Sequence, residues 1–183
     1  IYIVNSGTLN VMNGNVSANA IYISTNAQVI VTDNGRVTAG KIVMATGNLM
    51  ISNEGRVYVS TLDMRASSVV TIDHGHLIIE KEMTSVTHSH MVLIKGQLTI
   101  NAQEAKMGQM MLNQNSNVRA NGLVMQGNLA INQSRVMAGA ITANQNVTIN
   151  TGGVLSVNRL VVLGNTKIVN GGIITANQIE IKN

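Results

Sequence analysis

Four histidines are the residues whose type and spacing come nearest to a metal site. They form two pairs with one residue between the members: His74 with His76, and His88 with His90. Residues two apart on a strand point to the same side, so each pair could offer two imidazoles to one ion. The repeat described below, however, stacks His90 near Ser68, six residues and roughly 15–20 Å from His74. We therefore interpret the histidines as outward-facing corner residues and predict no metal site.

The acidic residues do not form a catalytic pattern either. Enzymes that cleave polysaccharides need several carboxylates, or a base beside calcium, on one surface. Asp33, Glu54 and Asp73 fall near one corner of successive repeats, but none has a basic partner at catalytic spacing. The sequence lacks cysteine, a phosphate-binding loop and a calcium-binding nonapeptide. We predict a protein that is not an enzyme, with no catalytic residues and no cofactor.

Composition predicts one domain over residues 1–183. The chain is 45% apolar and 11% charged, and it contains no Pro, Cys, Phe or Trp. The net charge of +4 comes from residues 92–183, where the basic residues are scattered along the chain. The three tyrosines all lie in residues 1–91. Basic patches that bind nucleic acid are clustered and interleaved with aromatic residues, so no nucleic-acid partner is expected. No run of eighteen apolar residues predicts a membrane span.

A repeat of about twenty residues organises the chain. Residues 152–162 and 171–181 match in kind at nearly every position, and the same pattern extends through all 183 residues. Each repeat has an apolar anchor after a turn, and successive anchors are 18 to 21 residues apart. Nine repeats of this period predict a stacked solenoid. The anchors are Val16, Val37, Val57, Leu77, Leu98, Val118, Val136, Leu155 and Ile174.

Three short strands are predicted in each repeat. In one coil the inward pairs are Val37 with Ala39, Ile42 with Met44, and Leu49 with Ile51, each with period two. In the next coil Val69 and Thr71 are assigned to the third strand. We predict an all-β fold, a three-faced parallel β-helix of about nine coils, and the irregular coil lengths favour right-handed winding. Exposed end coils predict a fragment of a longer rod.

Corners and outward rows follow the same period. Two-residue corners before each anchor, such as Asn34-Gly35, predict positive φ. Residues three past the anchors, such as Asn101 and Asn121, are expected to hydrogen-bond from coil to coil. The residues just before the anchors are expected to stack as one solvated row, with a carbohydrate- or anion-binding groove as the alternative. That row is Asn15, Arg36, Arg56, His76, Gln97, Asn117 and Arg135.

One coil, from Glu80 to His90, departs from the pattern. Glu82 and Thr84 occupy its expected inward positions, so we predict a loop that leaves the shaft, with Met83 and Val86 turned inward instead. Loops on rigid scaffolds often carry binding residues. The alternative is a tolerated irregularity of the repeat. The partner-binding candidates are Glu80, Glu82, Met83, Thr84, His88 and His90.

Residues 122–131 and 139–149 resemble the shaft repeats of filamentous-haemagglutinin-like exoproteins. These are large adhesins and contact-dependent inhibition proteins that Gram-negative bacteria export by two-partner secretion. The resemblance covers the whole chain and is one of pattern. It implies a secreted protein at the bacterial cell surface, and a shaft without catalytic residues. The Asn-Pro-Asn motif of the family's secretion domain is missing here, because the chain contains no Pro.

Three functions are compatible with this sequence. The first expectation is a structural shaft segment that presents a distal binding or toxic region. The alternatives are a self-assembling β-helical fibre subunit and a polysaccharide lyase or hydrolase on a β-helix. The expected partners are adjoining coils of the same chain or of neighbouring subunits, together with host-cell or bacterial surface ligands.

Overall fold

Apolar residues spaced two apart, separated by Asn- and Gly-containing turns, build a parallel β-solenoid of about nine turns. The computed structural model describes residues 1–168 and 171–182, and within them every regular element is a strand. The predicted all-β solenoid is therefore confirmed. No helix in this part of the chain is long and apolar enough to cross a membrane.

In residues 1–168 and 171–182, twenty strands, β1 to β20 in chain order, form two parallel sheets. The long-strand sheet contains β1 (Tyr2–Ile3), β3 (Asn15–Ile23), β5 (Arg36–Met44), β7 (Arg56–Met64), β9 (His76–Ser85), β11 (Gln97–Ile100), β12 (Ala105–Met107), β14 (Asn117–Met125), β16 (Arg135–Ala143), β18 (Val154–Val162) and β20 (Ile173–Ile181). The short-strand sheet contains β2 (Thr8–Met12), β4 (Gln28–Thr32), β6 (Asn48–Ser52), β8 (Val69–Asp73), β10 (His90–Ile94), β13 (Gln109–Asn113), β15 (Leu129–Ile131), β17 (Val147–Ile149) and β19 (Thr166–Ile168).

The nine anchors lie directly over one another. Each anchor pairs with the next across the long-strand sheet, from Val16 opposite Val37 to Leu155 opposite Ile174. Seven of the nine are fully or almost fully buried, and Val16 and Ile174 at the two ends are partly buried. The predicted single internal file is confirmed.

The first two predicted strands of each coil form one strand rather than two. Seven of the long strands run for nine residues without a break. Alternation is interrupted midway, where Gly40 and Lys41 both avoid the core between buried Ala39 and Ile42. We call this position the wide bend; it lies within each of these nine-residue strands and within β9, and in one turn it falls between β11 and β12. The three strands predicted in each coil are therefore carried by two hydrogen-bonded sheets.

The core position in β8 differs from the prediction by one residue. Val70 and Ile72 are buried and pair with Leu49 and Ile51, whereas Val69 and Thr71 are only partly buried. The turn before β8 contains Ser68, which is buried two residues before Val70 and donates a hydrogen bond from Oγ to the Met44 carbonyl at 3.1 Å. Because its side chain is polar, this inward position carries no apolar signal in the sequence.

The corner between a short strand and the next long strand is tight, and we call it the tight corner. Its first residue has positive φ in all nine predicted pairs, which confirms the expected backbone. These residues are Asn13, Asn34, Glu54, His74, Lys95, Asn115, Gln133, Gly152 and Gly171. The second residue lies against the previous turn: a Cβ on Gly35 would stand 2.1 Å from the Val11 carbonyl oxygen.

Two tight corners carry serine where the others carry glycine. Ser116 is fully buried and its Oγ donates to the Asn113 carbonyl at 2.6 Å, while accepting from the Gly96 N–H at 3.3 Å. Ser134 Oγ likewise donates to the Asn132 carbonyl at 2.7 Å and accepts from the Ser116 N–H at 3.2 Å. The two hydroxyls therefore satisfy buried backbone groups at the corner.

Candidate functional site

The first histidine pair is divided between two carboxylates. His74 lies in a tight corner, with Nδ1 2.6 Å from Asp73 Oδ1. His76 begins β9, and its Nε2 is 3.7 Å from Glu54 Oε2 in the preceding turn. Each imidazole thus has its own acidic neighbour instead of facing a shared ion.

The second pair lies at the start of the next short strand. His88 is exposed in the turn before β10, and His90 pairs with Val69, one residue from its predicted neighbour Ser68. In the same register Ile94 pairs with Asp73, so His90 and His74 are separated along the sheet by about 16 Å at strand rise. Among residues 1–168 and 171–182, no group of three or more His, Cys, Asp or Glu could hold a metal ion.

The coil that contains the partner-binding candidates is a strand, so the predicted loop is wrong. β9 continues from His76 to Ser85, and its register with β7 shifts by one residue between Ile79 and Glu82. Glu80 and Lys81 thus lie opposite the single residue Ser60, which is the geometry of a β-bulge. One extra residue is accommodated at the wide bend without a loop.

The candidates of this coil lie in different environments. Met83 is buried, as predicted, but Val86 is 41% exposed, and the other inward position belongs to Ser85. Ser85 Oγ accepts a hydrogen bond from the Gly108 N–H at 3.0 Å. Glu80 and Glu82 are exposed, so they can reach a partner. Met83 cannot contact one.

Thr84 is held within the protein. It is partly buried, and its Oγ1 donates to Asp63 Oδ1 at 3.3 Å. Arg65 contacts the other oxygen of the same carboxylate through Nη2 at 2.7 Å and Nε at 2.9 Å. The hydrogen bonds and negative charge of Asp63 raise the pKa of Arg65. Thr84 therefore orients a surface ion pair.

A larger irregularity follows one turn later, at residues 101–104. β11 ends at Ile100 and β12 begins at Ala105, which pairs with both Met83 and Leu123. Ala105 and Met107 are buried, so they supply the inward pair that the sequence pattern did not locate. The sequence did contain a signal for this pair, because Ala105 and Met107 are apolar and spaced two apart, but they lie two residues later after the anchor Leu98 than the corresponding pair in other coils.

Polar side chains connect the two irregular bends. Asn101 Nδ2 donates to Glu80 Oε2 at 2.9 Å, and Asn121 Nδ2 donates to the Asn101 carbonyl at 2.8 Å. This chain of contacts joins three turns, and it is the part of the predicted amide column that forms bonds between turns. An amide-to-amide stack lies instead at the ends of the short strands, where Asn132 Nδ2 donates to Asn113 Oδ1 at 2.8 Å and Asn150 donates to Asn132.

The predicted outward row before the anchors is confirmed. Its members pair in sequence across the long-strand sheet, so Arg36 and Arg56 are direct neighbours. The Arg36 guanidinium lies over the Tyr58 ring at 5.5 Å from its centroid. This cation–π contact favours the positive charge of Arg36 beside a like charge. The row presents a solvated, mixed surface.

The acids considered for catalysis have neighbouring side-chain partners as well. Asp33 Oδ1 accepts from Asn53 Nδ2 at 3.4 Å, while Asp73 contacts His74 and Glu54 contacts His76. Their contacts link adjacent residues or adjacent turns of the solenoid. Such contacts are those of a polar corner that stabilises the stack.

A shallow groove of about 750 Å³ crosses the long-strand sheet in the C-terminal half. It was not identified from the sequence as a site. Its walls offer amides, hydroxyls and one guanidinium, so it can hydrogen-bond a neutral polar ligand. Central lining residues are Arg119, Asn121, Met137, Gly139, Ser156 and Asn158.

Comparison with known proteins gives the chain no relative: no protein-family model, curated protein or solved structure matches it.

Proposed function

We propose that this chain is a structural shaft segment of a large bacterial surface or secreted exoprotein of the filamentous-haemagglutinin-like kind. In this role it holds a distal binding or toxic region away from the cell. The observation that carries the proposal is the uninterrupted file of nine stacked anchors, from Val16 to Ile174. Stacking of equivalent residues in every turn produces a rod, because each turn packs on the next.

Contacts between turns support a mechanical role. At the tight corners the backbone bonds connect equivalent positions of successive turns: Arg36 N donates to the Gly14 carbonyl at 2.8 Å, and Arg56 N donates to the Gly35 carbonyl at 2.9 Å. Nine turns at about 4.8 Å each give a length of roughly 43 Å. Because each turn contacts chiefly its neighbours, length can change by whole turns without a change in the core.

Removing one complete turn tests this modularity. Arg135 pairs with Val154 in the next turn. Deletion of residues 135–153 therefore joins Ser134 to Val154, which takes the place of Arg135. We expect a folded protein whose maximum dimension, measured by small-angle X-ray scattering, is about 5 Å shorter. Deletion of only residues 144–153 is the control, and it should unfold the turns that follow. Loss of folding in the whole-turn deletion would contradict a modular shaft.

Localisation tests the cellular part of the proposal. An antibody raised against this chain should label intact, unpermeabilised cells of the bacterium that makes it, or detect the protein in the culture medium. A cytosolic marker protein in the same samples controls for lysis. Detection only after permeabilisation would exclude a surface or secreted shaft.

A further inference from the structure

Charge is distributed unequally between the two sheets. Of the twelve basic and eight acidic residues of the chain, only Asp73 and Lys167 lie on the nine described strands of the short-strand sheet. The long strands carry charged residues repeatedly, including Lys41, Asp63 and Arg119. The outward side of the short-strand sheet, which we call the short-strand face, is therefore almost uncharged.

The middle of the short-strand face is an apolar stripe. Outward residues of successive strands pair in one row, with Met50 40% exposed and Met111 47% exposed. Ile30, Val92 and Ala130 are partly exposed in the same row. The residues beside the stripe are mostly amides and hydroxyls. The row is Ile30, Met50, Thr71, Val92, Met111, Ala130 and Thr148.

We infer that the short-strand face binds the same face of a second copy of this chain, in a two-fold symmetric dimer. The net charge of +4 makes two copies repel each other, and this face is where a second copy meets the fewest like charges. A nucleic acid or an acidic surface needs several basic residues, and only Lys167 lies on the described strands of this face. An identical uncharged face meets the requirement of a self-complementary interface.

The area of the face is sufficient for a specific contact. Seven strands of up to five residues, β4 to β17, cover roughly 34 Å by 16 Å, or roughly 540 Å² on each copy. Two copies therefore remove roughly 1,100 Å² from solvent, just above the roughly 1,000 Å² expected of a biological interface. Methionine suits such a contact, because its flexible side chain adapts to an opposing surface.

Two-fold symmetry assigns the pairs across the interface. An axis between Thr71 and Val92, near the centre of the stripe, places Met50 of one copy opposite Met111 of the other. Ile30 then lies opposite Ala130. The same contact occurs twice in each dimer, so a change at either methionine affects both halves of the interface.

Charge substitutions test both the face and the symmetry. Sedimentation equilibrium of the wild-type chain should show a species of twice the 19.4 kDa chain mass. M50K and M111E alone should each weaken dimerisation at least tenfold. The double variant M50K/M111E should restore it, because the introduced ammonium and the introduced carboxylate then meet across the interface. M137E, on the opposite sheet, should dimerise like the wild type, and circular dichroism should show that all variants remain folded.

Several results would overturn the inference. If the wild-type chain is monomeric at every concentration, the interface does not exist. If the chain forms larger assemblies and M111E does not change them, the copies associate by their ends and not by this face. If the single variants dissociate but the double variant does not recover, the two-fold arrangement is wrong. Binding of the wild type to neutral phosphatidylcholine vesicles, lost in M111E without any dimer, would assign the face to a lipid surface. The shaft proposal is unaffected by any of these results, because its tests are length and localisation.

Discussion

The tight corner and the wide bend turn the same chain in different ways. At the tight corner Gly35 approaches the previous turn so closely that a Cβ would stand 2.1 Å from a carbonyl oxygen, and the residue before it has positive φ. At the wide bend the chain keeps ordinary strand hydrogen bonding, and two adjacent residues avoid the core. A Cβ on Gly40, at a wide bend, would also come within 2.7 Å of the Asn19 carbonyl oxygen, so the two corners differ in backbone φ and in side-chain direction.

The difference explains where the irregularities occur. Between the two core positions that Ala39 and Ile42 occupy, the spacing is three residues. The same two positions are four residues apart from Ile79 to Met83, and five apart from Ile100 to Ala105, where the intervening Ala102 is also buried. The spacing returns to three in the following turn. Glu80 and Lys81 at the first of these irregular bends project into solvent, Ala102 at the second is buried, and the core register is kept in both. This bend is therefore where the solenoid can vary its surface.

Insertion of one glycine at each corner of the same turn should give the largest effect. Between Gly139 and Ala140, at a wide bend, we expect a bulge and a loss of about 1 kcal/mol. Between Gly153 and Val154, at a tight corner, we expect a loss of about 4 kcal/mol. That insertion breaks the Gly153 N–H to Asn150 and Val154 N–H to Ser134 bonds, each 2.8 Å, in buried backbone. Urea denaturation of both variants measures the difference, and equal losses would refute the distinction.

Sequence reasoning located the tight corners better than the wide bends. Positive φ leaves a visible signal, because Asn and Gly recur where the chain must turn, and all nine positions were identified. The bulge at Glu80 and Lys81 leaves none, because an extra outward residue can be of any polar type. Counting residues indicated an irregularity there, but it could not distinguish a β-bulge from a loop.

Phase errors in the core have a similar origin. Alternation locates the inward side only while the length of the preceding turn is known, and the turn before β8 places the first inward residue of the strand at Val70, two residues after buried Ser68. Among the site candidates, the spacing placed Met83 inside correctly but could not show that Thr84 bonds Asp63. The uncharged short-strand face became visible only when the sheets were known, since its residues are about twenty positions apart in the sequence.

Substitution of Gly35 should give an intermediate effect. In Gly35→Ala the new Cβ meets the Val11 carbonyl oxygen at 2.1 Å and the Thr32 carbonyl oxygen at 2.8 Å, so backbone must move, at a cost of about 3 kcal/mol. Gly14→Ala is the matched control in the first turn, where the nearest atom is the Met12 carbonyl oxygen at 3.6 Å. That variant should change stability by less than about 1 kcal/mol. Thermal unfolding compares the two, and similar losses would show that contact with the previous turn does not fix the tight corner.

Substitution of Lys95 should give the smallest effect, and it should be favourable. Lys95 has a φ of 50° at a tight corner, where the corresponding residues of two later turns are Gly152 and Gly171. A left-handed conformation costs a residue with a Cβ about 1–2 kcal/mol, and the added freedom of glycine in the unfolded chain offsets part of that. Lys95→Gly should therefore raise the free energy of unfolding by about 0.5–1 kcal/mol. Lys106→Gly removes the same charge from strand β12 and should lower it by a similar amount, because glycine weakens a strand. If both variants lose stability equally, the left-handed backbone at Lys95 carries no cost, and the tight corner is defined by close packing alone.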